Sequence, residues 1–151
     1  MFQELSKLYT EIVERTITVL PENWKTFWIR AECEESTWGD SGYYELQDDD
    51  EVFAFFAPSE ATKLIHETWN VSRVHNDNWT TILLKVSAPG DLHITLGHED
   101  LADEAVTPTD RVKIFKERTF PGRKVTSTHD WSGAISLTPE MLKSGEFQPN
   151  P

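Results

Sequence analysis

The spacing of apolar residues changes from a helical period to a strand period early in the chain. In residues 2–20 the apolar positions recur at steps of three and four, which predicts an amphipathic helix that stops before Pro21. Residues 24–33 alternate instead, and one side of the predicted strand carries Phe27, Ile29, Ala31 and Cys33. A chain that changes period in this way must pack a helix against a sheet.

The same two periods recur along the rest of the chain. Further strands are expected at residues 42–47, 52–57, 79–88 and 92–96, and further helices at 59–75 and 109–119. The segment 34–41 is expected to be a turn, and 52–57, which is almost wholly apolar, to be a central strand. Strands clustered between short turns predict an α+β fold: an antiparallel sheet of about five strands with helices packed on one face.

The pattern weakens beyond residue 120. An irregular strand is expected near residues 131–137 and a short helix near 138–143. The length of 151 residues suits one domain spanning 1–151, with enough chain to bury a core.

A single cysteine, Cys33, excludes a disulfide within the chain and a cysteine-based zinc site. We expect a buried, unreactive thiol. The N-terminal residues lack the pattern of a secretion signal, and no apolar run is long enough to span a bilayer. These features predict a cytoplasmic protein with no membrane partner, while the oligomeric state stays open.

The charge is strongly negative and uneven. The net charge is −12, and residues 1–110 hold 22 of the 26 acidic residues but only 7 of the 14 basic ones. Such a surface repels phosphate backbones, so we expect no nucleic-acid partner. The acidity is compatible with simple solubility and also with steering towards a cationic protein.

The acidic residues concentrate in two segments that are expected to be exposed loops. The D-D-D-E spacing of residues 48–51 lacks the alternating ligands and central glycine of a calcium loop. Exposed aromatic side chains ringed by charge are typical of protein-binding surfaces. The predicted partner contacts are therefore acidic residues and possible aromatic anchors: Asp48, Asp49, Asp50, Glu51, Asp100, Asp103, Glu104, Trp28, Trp38 and Tyr44.

Catalytic and metal-binding patterns are weak. His98, followed by Glu99 and Asp100, is the best candidate for acid–base chemistry, and a small hydrolase built on it is one alternative. The sequence contains no HExxH, GxSxG or phosphate-binding glycine motif. We therefore expect no enzyme activity, no cofactor and no bound metal.

Two stretches resemble a known family. The opening LYTEIVERTITVLPENWKTFWIRAEC resembles the start of the YezG-like (DUF600) immunity proteins, with an LY-x-EI helix, a P-E-x-W turn and a strand ending in A-E. The stretch HEDLADEAVTPTDRVKIFKERTFPG resembles their acidic loop and basic-aromatic helix. The resemblance covers about residues 5–122, and 123–151 form a C-terminal extension.

The resemblance implies an inhibitor that binds a cognate toxin domain. The toxins of this group are often nucleases, whose active sites are basic because they bind phosphates. An acidic immunity protein could occupy such a site or cover the surface beside it. An adaptor domain with a different partner is the remaining alternative.

Overall fold

The computed structural model describes residues 2–35 and 38–128, which form three helices and six strands. The elements in chain order are α1 (Phe2–Ile17), β1 (Trp24–Cys33), β2 (Trp38–Leu46), β3 (Val52–Phe55), α2 (Ser59–Val74), β4 (Thr81–Ser87), β5 (Asp91–Gly97), α3 (Pro108–Thr119) and β6 (Val125–Ser127). The predicted elements at 131–137 and 138–143 lie outside the described residues.

The strands form one sheet in the order β5-β4-β1-β2-β3-β6, with β1 near its middle. Neighbouring strands are antiparallel except β3 and β6, which are parallel. The α+β class is confirmed. The strand count is six rather than about five because residues 125–127 return to pair with β3.

Helices α1 and α2 pack against each other and cover one face of the sheet, here called the first face. The alternating side chains of β1 point into this layer, as the sequence predicts. Fully buried side chains from both helices and from β1 and β4 form its centre: Ile12, Phe27, Ile29, Ile65 and Leu84. Burying such side chains contributes on the order of 1.5–3 kcal/mol each.

The opposite, second face is covered by α3 and the turn after it. Phe115 and Phe120 pack there against Trp28 of β1 and Tyr43 of β2, with Val52 of β3 beside them. Helix packing on one face alone is therefore correct for α1 and α2 and wrong for α3. The physical reason is that β1 and β2 carry large aromatic residues on both faces, so both must be covered.

Two strand predictions need correction. β3 is not central; it lies between β2 and the short edge strand β6. Its apolar sequence reflects the covering of both faces, since Phe53 joins the first-face core and Val52 the second. Residues 38–41, expected in a turn, instead begin β2, because the ten-residue β1 pairs along its full length and Cys33 lies opposite Trp38.

Candidate partner-binding surface

The acidic tip, residues 48–51, connects β2 and β3 and is held in place by a basic residue. The Arg123 guanidinium donates to the main-chain oxygen of Asp50 at 3.0 and 3.1 Å and to the Glu45 carboxylate at 2.9 Å. Gly122, Arg123 and Lys124 face the tip across a shallow hollow. The tip therefore forms where predicted, but two cations lie beside it.

Within the acidic tip, two of the four carboxylates are engaged locally. Asp49 accepts from the backbone N–H of Glu51 at 2.9 Å, and the Thr126 hydroxyl donates to Glu51 at 3.4 Å. Asp48 and Asp50 are exposed, and neither forms an ion pair with another described residue.

The acidic loop, residues 98–107, links β5 to α3 and has a defined backbone. The Asp100 carboxylate accepts the N–H of Ala102 and the Asp103 carboxylate that of Ala105, each at 3.0 Å. Such short side-chain-to-backbone bonds stabilise turns. Asp100, Asp103 and Glu104 are exposed, and within residues 2–35 and 38–128 none of them takes part in an ion pair.

The end of the acidic loop continues directly into α3 through a capping box. The Thr107 hydroxyl accepts from the Asp110 N–H at 3.1 Å, and the Asp110 carboxylate accepts from the Thr107 N–H at 3.0 Å. The reciprocal bonds set the first turn of the helix, with Pro108 at its start. The loop is thus tied to α3 at its far end.

Glu99, at the start of the acidic loop, is an anchor rather than a free charge. The hydroxyl of Thr81 donates to its carboxylate, and the hydroxyl of Thr80 donates to its main-chain oxygen at 2.7 Å. Desolvation acts to raise the pKa of Glu99, but the hydrogen bond from Thr81, a backbone hydrogen bond and the positive charge of Arg30 together lower it overall. Glu99 therefore stays ionised and fastens the loop to β4.

The two acidic segments lie at opposite ends of the sheet. The acidic tip follows Leu46, which pairs with Trp24 at the start of β1. The acidic loop lies beside Thr81, which pairs with Glu32 near the end of β1. Eight residues of strand correspond to about 26 Å. A single small contact therefore does not include both segments.

A cleft opens between the acidic loop, α3 and the second face of the sheet. Its volume is about 490 Å³. We call it the α3 cleft, and its lining combines apolar side chains with acids from the loop and arginines: Arg30, Leu83, Glu99, Asp100, Asp103, Val106, Arg111, Ile114, Phe115, Arg118 and Thr119.

A largely buried ion pair positions the α3 cleft. Arg111 donates to both oxygens of Glu32 at 2.7 and 2.8 Å, and Arg30 donates to the same carboxylate at 2.8 Å. Desolvation would raise the pKa of Glu32, but the bonds from Arg111 and Arg30 lower it overall. This pair was not predicted from the sequence. The only signal was an acidic residue near the end of an otherwise apolar strand.

The three predicted aromatic anchors differ in exposure. Trp28 and Tyr44 are buried, Trp28 beneath Phe120 and Tyr44 against Phe53 and Phe55. The expectation that they lie on an open surface is wrong, because residues far along the chain cover both faces of the sheet.

Trp38 is different, because 46% of it is exposed. It stacks on His66 of α2 with ring centroids 4.3 Å apart. It lies opposite Cys33, at the same end of β1 as the acidic loop. Of the three candidates, Trp38 alone can present its ring to a partner.

His98 does not line the α3 cleft. Its side chain is largely exposed, and its Nε2 lies 4.0 Å from Asp77. The pocket that a hydrolase built on His98 requires is therefore not formed by this cleft. Cys33 is buried as predicted, and burial raises the pKa of its thiol to about 12. Among the described residues, no group of three His, Cys, Asp or Glu side chains is placed to hold a metal ion.

The first half of the chain carries α1, the hairpin β1–β2, β3 and nearly all of α2. Residues 5–73 match the family model described as "Immunity protein YezG-like". The YezG-like resemblance is confirmed over those residues, while its extension to residue 122 stays a prediction. The match supports an immunity-protein role with a cognate toxin as partner. A search of curated proteins found no match. Within the described part of the chain, no helix has the length and apolar character needed to cross a bilayer.

Proposed function

We propose that this YezG-like chain is an immunity protein that binds and neutralises a cognate nuclease toxin domain through acidic surfaces, in the cytoplasm and as one domain without enzyme activity. The observation that carries the proposal is the acidic loop. Asp100, Asp103 and Glu104 project from a turn-stabilised backbone, and none pairs with a cation among the described residues.

Charge complementarity explains why such a loop suits a nuclease. A nuclease must present cations to bind the phosphates of its substrate. Opposed charges steer association and disfavour wrong partners, and truncating one member of a buried interfacial charge pair costs on the order of 2–5 kcal/mol. The net charge of −12 extends this attraction beyond the contact itself.

The acidic loop is expected to contribute more than the acidic tip. Arg123 and Lys124 lie beside the tip and offset part of its charge. Asp48 and Asp50 therefore form a secondary contact in this proposal. Trp38 lies at the same end of β1 as the loop and is the aromatic anchor we expect to be buried by the partner.

The first experiment tests the function itself. The chain is co-expressed with the toxin domain encoded by the neighbouring gene, the complex is isolated by pulldown, and cleavage of DNA and RNA by the toxin is measured with and without this chain. We expect a stable complex and loss of cleavage. The proposal would be contradicted if the product of the neighbouring gene does not bind this chain and does not cleave nucleic acid.

The second experiment tests the acidic surface. The affinity of the complex is measured while the salt concentration rises from about 0.05 to about 0.5 M, where screening becomes strong. The triple variant Asp100→Asn/Asp103→Asn/Glu104→Gln is compared with Glu4→Gln/Glu11→Gln/Glu14→Gln on α1, which removes the same charge from a helix that covers the first face. We expect weaker, less salt-dependent binding for the loop variant alone.

A further inference from the structure

The α3 cleft has an apolar floor that is open to solvent. Leu83 comes from β4, Val106 from the acidic loop, and Ile114 and Phe115 from α3. Ile114 is 40% exposed, although α3 is otherwise strongly polar. The floor therefore offers an apolar surface bordered by charged side chains.

The charges around this floor are not equivalent. Arg30 and Arg111 are both bound to the single carboxylate of Glu32, which neutralises one of their two positive charges, and the charge of Arg30 also acts on Glu99. Glu99 is bound to Thr81. Asp100 and Asp103 line the cleft from the acidic loop, and Arg118 lines it from α3. The rim formed by the acidic loop thus carries two carboxylates that have no ion-pair partner among the described residues.

We propose that the α3 cleft receives a lysine or arginine side chain of the partner protein, a step that rests on the proposed function and names the chemistry of its contact. The aliphatic stem lies along Leu83, Val106 and Ile114, and the charged head lies between Asp100 and Asp103. A long basic side chain suits this lining because its methylene stem packs on apolar surface while its head stays with charge.

Charge selects this occupant over the alternatives. An anionic side chain would meet Arg118 but also the carboxylates of Asp100 and Asp103. A purely apolar side chain would cover the floor and leave those carboxylates partly desolvated without a counter-charge, which is unfavourable. A basic side chain satisfies both the floor and the acidic rim.

The first test removes the acidic rim. Asp100→Asn/Asp103→Asn is compared with Glu4→Gln/Glu14→Gln, two exposed acids on α1. Binding of the purified neighbouring toxin domain is measured by calorimetry. The rim variant should weaken binding at least about tenfold, as expected for a central charged contact, and the α1 variant should bind like the wild type.

The second test fills the cleft without changing its charge. Ile114→Trp places a bulky ring over the floor, and Val74→Trp adds the same ring at a 79% exposed position on α2. Both variants are first checked for an unchanged unfolding midpoint. We expect Ile114→Trp to weaken binding at least about tenfold and Val74→Trp to leave it unchanged.

A third measurement identifies the inserted side chain. Each lysine and arginine of the toxin domain is replaced by alanine, and the variants are combined with Asp103→Asn in double-mutant cycles. One basic residue should couple to Asp103, so that the double variant loses less affinity than the two single losses combined.

The outcomes separate the two proposals. If the wild-type chain does not bind the toxin domain encoded by the neighbouring gene, the proposed function is wrong and this inference is wrong with it. If the toxin binds but Ile114→Trp and the rim variant bind like the wild type, the function stands and the cleft proposal is wrong. Weakening by the rim variant without weakening by Ile114→Trp also overturns insertion into the cleft, because contact would then be confined to the rim.

Discussion

Arg111 of α3 donates two hydrogen bonds to the carboxylate of Glu32 of β1, although the residues are 79 positions apart in the chain. Its Nε and Nη2 donate at 2.7 and 2.8 Å, while Nη1 donates to the main-chain oxygen of Val106 at 2.8 Å. One side chain therefore joins the central strand, the helix on the second face and the end of the acidic loop.

Replacing Arg111 should destabilise the fold strongly. Arg111→Ala leaves the Glu32 carboxylate largely buried with Arg30 as its remaining partner. Removing one member of a buried pair costs about 3–5 kcal/mol, and we expect the lower end because Arg30 stays. Urea unfolding measures the change. Lys113→Ala, on an exposed position of the same helix, is the control and should shift the free energy of unfolding by less than about 0.5 kcal/mol.

The Glu32 pair should also make stability depend on pH in the acid range. Bonds from Arg111 and Arg30 outweigh desolvation and hold the pKa of Glu32 below its ordinary value of 4.5. A carboxylate with a lowered folded pKa stabilises the native state fully above its unfolded pKa, and the stabilisation is lost as pH falls through the folded pKa. Stability should therefore decline below about pH 4.5.

Glu32→Gln separates this contribution from that of other acids. The variant cannot titrate at this position, so its stability should fall less steeply between neutral pH and the acid range than that of the wild type. Unfolding midpoints measured across the range give the slope for each protein. Equal slopes would show that the pair does not carry the acid dependence.

Gly97 is required where β5 meets the acidic loop. A Cβ atom at this position would overlap the Thr81 hydroxyl oxygen and lie 2.5 Å from a Glu99 carboxylate oxygen. Gly97→Ala should therefore break the Thr81–Glu99 bond and cost about 1–3 kcal/mol, since a partly buried carboxylate loses its donor. Gly39→Ala, whose Cβ would meet nothing within 4 Å, is the matched control in urea unfolding.

The local elements were predictable because each depends on near neighbours in sequence. The period of residues 2–20 and the alternation of 24–33 predict α1 and β1 closely. β2 was predicted to begin too late because the polar stretch Trp38–Ser41 shows no strand pattern. The start of β2 is set by its pairing with the end of β1, and pairing is a property of the assembled sheet.

The second face illustrates what local pattern cannot give. Trp28 shares its side of β1 with Arg30 and Glu32, so the alternation of the strand suggests an exposed residue. It is buried because Phe120, almost a hundred residues later in the chain, packs on it with the two ring centroids 4.7 Å apart. The acidic loop was predictable, since exposed acids need only a local signal. The α3 cleft and the Glu32–Arg111 pair require three segments to meet, so they follow from the fold alone.

The contact between Trp28 and Phe120 should be one of the main supports of the second face. The two rings meet edge to face. The ring centroid of Phe120 also lies 5.5 Å from that of Tyr43 and 5.9 Å from that of Phe115. Phe120 is 3% exposed, so Phe120→Ala leaves a cavity beneath the turn and should cost about 3–5 kcal/mol. Phe2→Ala, at an 85% exposed position, should change stability by less than about 0.5 kcal/mol. Urea unfolding of both variants checks the difference.

Because α3 carries one wall of the α3 cleft, Phe120→Ala should also weaken toxin binding. A destabilised variant with full affinity would show that the cleft forms independently of this aromatic cluster.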